Sequence, residues 1–69
     1  MLEFQIGDRV IISQLWFDKE VAGRIGTVAE PDESITLHDG CYWIELDVEE
    51  WIPGITEAAE VNGQELQRV

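Results

Sequence analysis

The residues best equipped for chemistry sit near the middle of the chain. His38, Asp39 and Cys41 place an imidazole, a carboxylate and a thiol within four positions. A Cys–His pair acts as a nucleophile when the thiolate lies within hydrogen-bond reach of the imidazole. Here the neighbouring acids would raise the thiol pKa and oppose thiolate formation. No oxyanion-hole pattern accompanies the pair. Cys41 therefore reads as a small strand residue and His38 as an exposed loop residue. A structural zinc site wants four ligands, usually in two spaced pairs, and the chain has one cysteine and one histidine. Asp47, Glu49 and Glu50 form a second acidic cluster, without the loop that a calcium site requires. Glu45, Asp47 and Glu49 share one strand face at period two. Like charges so close raise at least one pKa, and a solvated face is the simpler reading. Gly23-Arg24-Ile25-Gly26 lacks the length and the lysine of a phosphate-binding loop. No catalytic residue, metal or cofactor is assigned.

The aromatic residues carry more. Trp16, Phe17, Tyr42, Trp43 and Trp51 are many for the core of a 69-residue chain. Tyr42 faces inward by alternation. Trp16 and Phe17 are adjacent in a loop, where their rings are expected to point in different directions. Trp43 shares an outer strand face with Glu45 and Asp47. Large aromatics are enriched at interface hot spots, and exposed apolar patches on small proteins mark contact sites. Trp16, Phe17, Trp43, Trp51, Glu45 and Asp47 are thus the candidate partner-binding residues, the alternative being that the rings simply cap an undersized core.

Charge points the same way. Fifteen acids face Arg9, Lys19, Arg24 and Arg68, a formal net charge of −11. Such a field disfavours phosphate backbones, which need clustered Lys and Arg. It serves simple solubility or favours cationic partners, and it opposes compactness by self-repulsion. No apolar run approaches the length of a membrane span, and no basic-then-apolar leader is present. A single cysteine excludes an intrachain disulfide and fits a reducing compartment. Nucleic acid and membrane are not expected partners, and the cytoplasm is the expected location.

The elements that must position these residues read as short strands. One domain spans residues 1–69. Phe4 and Ile6 are expected as the first core contacts. Asp8 to Ile12 reads as the first strand, with Val10 and Ile12 on one face. Ser13 to Ala22 is a long first loop. Gly23 to Glu30 is the second strand, its glycines suited to a bend. Pro31 to Ser34 is a turn by composition. Ile35 to Leu37 alternates weakly and extends the hairpin, and His38-Asp39-Gly40 holds an Asp-Gly turn. Cys41 to Val48 is the clearest strand, with Tyr42, Ile44 and Leu46 inward. Ile55 to Val61 lies between Pro53-Gly54 and Asn62-Gly63 turns and reads as a fourth strand. Helical propensity over Thr56 to Glu60 is the competing reading. Asn62-Gly63-Gln64 makes a tight turn, often a single 3₁₀ turn, before a last strand at Glu65 to Val69. The expected core is Val10, Ile12, Ile25, Val28, Tyr42, Ile44, Leu46, Val61 and Leu66, with Leu66 and Val69 at its floor.

Gly7-Asp8-Arg9-Val10, Gly23-x-x-Gly26-Thr27-Val28, Trp43-Ile44-Glu45-Leu46-Asp47 and Glu65-Leu66 together resemble the SH3-like small β-barrel superfamily. Members include KOW-type domains, the photosystem PsaE subunit, the variable chain of ferredoxin–thioredoxin reductase, the nitrile hydratase β-subunit barrel and the plasmid-type dihydrofolate reductase. The resemblance covers nearly the whole chain and implies an all-β, single five-stranded SH3-like barrel with a long first loop. This fold hosts unrelated activities. RNA-binding KOW domains are basic, unlike this chain. The Val-Gln-Ile-Tyr active-site strand of the plasmid reductase is absent, and Ile55-Thr56-Glu57-Ala58 does not replace it. Fold, and no functional residue, carries over.

The expected function is a non-catalytic protein-interaction module or accessory subunit that binds a basic protein surface or self-associates. Two other classes remain open. One is an acidic inhibitor, of phage or mobile-element type, that mimics nucleic-acid charge. The other is an oligomeric enzyme with its active site at a symmetric interface, as the plasmid reductase permits.

Overall fold

In the computed structural model, residues 3–48 and 57–69 are described. Among the described residues there are five strands: β1 (Arg9–Ile12), β2 (Ile25–Ala29), β3 (Cys41–Leu46), β4 (Ala58–Asn62) and β5 (Leu66–Arg68). A single 3₁₀ turn, Gly63–Glu65, joins the last two. All pairings are antiparallel, in one sheet of order β4-β3-β2-β1-β5. No helix among the described residues is long and apolar enough to cross a membrane.

Alternation decides which face is dry. On β1, Val10 and Ile12 are buried while Arg9 is exposed. On β3, Ile44 and Leu46 are buried and Glu45 between them is exposed. Val28, Val61 and Leu66 complete the strand contribution, and Tyr42, Ala59 and Trp16 pack against it. Fully burying such aliphatic side chains stabilises by roughly 1.5–3 kcal/mol each.

Two further core residues lie outside the strands. Phe4 is buried and meets the Tyr42 ring edge to face at 5.4 Å. Val21, in the first loop, is fully buried. The loop carries it inward through a local turn: the Asp18 carbonyl accepts from the Val21 and Ala22 amides, and the Asp18 side chain accepts from Glu20 N at 3.0 Å.

The structure corrects the expected core at three places. Ile25 is 37% exposed, because its register against Ile11 puts it on the outer face. Ile6 is exposed beside the Gln5–Asp8 turn. Val69 is exposed beyond the end of β5, whereas Leu66 is buried. The segment between β2 and β3 stays loop, with Ile35 N donating to Asp32 O. Residues 58–62 are strand, so the helical reading of that stretch loses to pairing with β3. The Pro53-Gly54 turn lies outside the described residues.

Two glycines set the path of β3. Gly40 has φ +78°, which a side chain would strain, and its turn delivers the chain into the strand. Gly26 lets β2 approach β3 closely, since a Cβ there would lie 2.6 Å from the Glu45 carbonyl oxygen. The turn before β5 is capped by Asn62, whose Oδ1 accepts from Gln64 N at 2.9 Å.

Candidate functional site

The outer face of β3 presents Cys41, Trp43 and Glu45, because Tyr42, Ile44 and Leu46 are drawn inward. Trp43 lies between Ala29 of β2 and Glu60 of β4, and Glu45 between Thr27 and Ala58. Trp43 is half-buried, and a shallow depression of about 690 Å³ opens at its side chain. Its walls are Glu30, Pro31, Asp32, Glu33 and Ile35 of the β2–β3 loop, with Trp43 and Glu45 of β3. Trp43 and Glu45 also border a second hollow with Glu57 and Ala58.

The arginines are turned to other acceptors. Arg9 donates to Asp47 through both terminal nitrogens, at 2.8 Å for Nη1–Oδ1, and to Thr27 Oγ1 at 3.0 Å. That hydrogen bond holds the Asp47 carboxyl below the usual carboxylate range and raises the guanidinium. Arg24 donates to the backbone oxygens of Glu20 and Asp47. Arg68 reaches Asp8 at 3.3 Å and lies 4.8 Å over the Phe4 ring.

His38 and Cys41 are both set against Glu60. The His38 backbone N–H donates to Glu60 Oε2 at 2.6 Å, and its Nδ1 lies 3.0 Å from the same oxygen. The backbone donation comes first among the contacts that lower the Glu60 pKa. Burial, and then the charge and hydrogen bond of Glu60, push the Cys41 thiol up. A raised thiol pKa suppresses the reactive thiolate. Among the described residues, no three His, Cys, Asp or Glu side chains gather closely enough to hold a metal ion.

The other candidates are scattered. Trp16 packs against the core, while Phe17 beside it is 82% exposed. Their rings do not diverge: the centroids lie 4.7 Å apart at a 42° tilt. Leu15 is exposed next to them. Trp51 lies outside the described residues. Of the six candidates, the structure brings together Trp43 and Glu45 on one strand and sets Asp47 just past its end, paired to Arg9.

Sequence reasoning missed the wall contributed by Glu30, Asp32 and Glu33, having read Glu30 as the end of the second strand and Pro31 to Ser34 as a turn. The available signal was three acids in four residues at the end of a hairpin whose return strand carries Trp43. It also missed a groove of about 460 Å³ along the end of β1 and the 3₁₀ turn, with a mixed lining that includes Ile11, Gln14, Gln64 and Leu66.

Comparison of the chain with protein-family profiles, curated proteins and solved structures finds no match.

Proposed function

We propose that the chain is a non-catalytic protein-interaction module that holds a basic protein surface against the outer face of β3. The observation that carries this reading is the depression at Trp43, where one indole and four carboxylate side chains line the same hollow. An apolar centre with a charged edge is the usual anatomy of a contact patch, and its sign calls for a cationic partner. The arginines, which would otherwise compete for those carboxylates, are engaged with Asp47, Asp8 and backbone oxygens.

The fold proposed for the module is the SH3-like barrel. A first strand flanked by the second and fifth, with a 3₁₀ turn before the last, supports that assignment. The proposed setting is the cytoplasm, where Cys41 remains a thiol.

Calorimetric titration with a Lys- and Arg-rich decapeptide at 0.15 M salt tests the function. Glu45→Gln and Trp43→Leu should each weaken binding about fivefold or more. Glu3→Gln removes the same charge elsewhere and should change it less than about twofold. Equal losses from Glu45→Gln and Glu3→Gln would reduce the binding to general charge attraction and end this reading.

A further inference from the structure

The hollow at Trp43 has a mixed lining. Trp43, Pro31 and Ile35 supply apolar surface, and Glu30, Asp32, Glu33 and Glu45 supply carboxylates. A small cation would use only the carboxylates, and an aliphatic side chain only the apolar wall. A long side chain with an apolar stem and a cationic head uses both. Lysine and arginine are the two that qualify.

The indole discriminates between them. A guanidinium is planar and stacks on an aromatic face. It is also weakly hydrated and presents a fork of donors that matches a carboxylate. An ammonium is a compact, strongly hydrated point charge, which loses more on leaving water. Trp is the best aromatic partner for either cation.

We infer, on the strength of the interaction reading above, that this hollow is a seat for one arginine side chain of the partner. The stem lies along Pro31 and Ile35. The guanidinium stacks on Trp43 and donates hydrogen bonds to Glu45 and the β2–β3 loop carboxylates. The seat thereby selects arginine over lysine within a basic segment.

The test uses the full chain and three capped tripeptides, with Arg, Lys or citrulline between glycines, followed by nitrogen–proton NMR. Citrulline keeps the shape of arginine without its charge. The Arg peptide should shift the Trp43 indole N–H and the amides of residues 30–35. The Lys peptide should bind about threefold or more weakly, and citrulline should leave these signals in place. Glu45→Gln preserves side-chain shape and should weaken the Arg peptide, whereas Glu3→Gln should not. Equal affinity for Arg and Lys, or shifts centred away from Trp43, would overturn the arginine seat. If the decapeptide still depends on Trp43 and Glu45 in that event, the interaction reading survives alone. If it does not, both fall.

Discussion

The Arg9 guanidinium clasps the Asp47 carboxylate across the outer face of the sheet, with Nη1–Oδ1 at 2.8 Å and Thr27 as a further acceptor. The clasp ties β1 to the chain just beyond β3, although β2 lies between them. It also removes Asp47 from the carboxylates open to a partner, leaving Glu45 as the acid of β3 that faces the Trp43 hollow.

That pair gives the stability a defined acid dependence. The folded-state pKa of Asp47 is depressed, so its contribution is fully present above the unfolded value of about 3.9 and is lost as pH falls through the folded value. Wild type and Asp47→Asn should therefore differ most at neutral pH, and the gap should shrink below about pH 4. Both partners are about half exposed, so the gap is small. Urea titrations of both proteins at several pH values measure it. A gap that stays constant down to pH 3 would contradict the ion pair.

Val21, outside the expected core, is buried, whereas Ile25, expected within it, faces outward. Val21→Ala should cost about 2 kcal/mol, the transfer term for two carbons plus a small cavity. Ile25→Ala removes more carbon but should cost under about 1 kcal/mol, since the side chain faces outward. Chemical denaturation of the two variants side by side gives the order directly.

Trp16 and Phe17 touch each other but sit differently. Trp16→Ala strips a ring from the edge of the core and should destabilise by about 2 kcal/mol. Phe17→Ala should stay within about 0.5 kcal/mol. Thermal melts distinguish them. A stable Trp16→Ala would mean that the first loop is not a lid on the core.

Cys41 should be a slow thiol. Its pKa is raised by burial first and by Glu60 second. Modification by a disulfide reagent at pH 8 should be slower for the folded protein than for the protein in urea, and Glu60→Gln should speed it. A faster folded-state rate would reverse the assigned direction.

Much of the fold is legible in the chain because strand alternation is a local signal. Cys41 to Leu46 alternates inward and outward residues, and burial of Ile44 and Leu46 follows from that period. The Asn62-Gly63 turn is equally local, since a side-chain cap and a glycine suffice to make it. The same alternation puts Trp43 and Glu45 on one outward face.

What the chain by itself could not decide was set by contacts between distant segments. Val21 is buried because the first loop folds back onto the sheet, and no periodicity within the loop marks it. Ile25 is exposed because its pairing with Ile11, a long-range choice of register, assigns its face. The side chains that wall the Trp43 hollow come from a loop whose composition reads only as a turn. Asp47 is committed to Arg9 because the sheet brings together residues 38 positions apart. Local sequence determines which residues alternate and where the chain turns. Only the packing of those strands into one sheet determines which acids remain open to a partner, because ion pairing depends on distances that no short stretch of sequence contains.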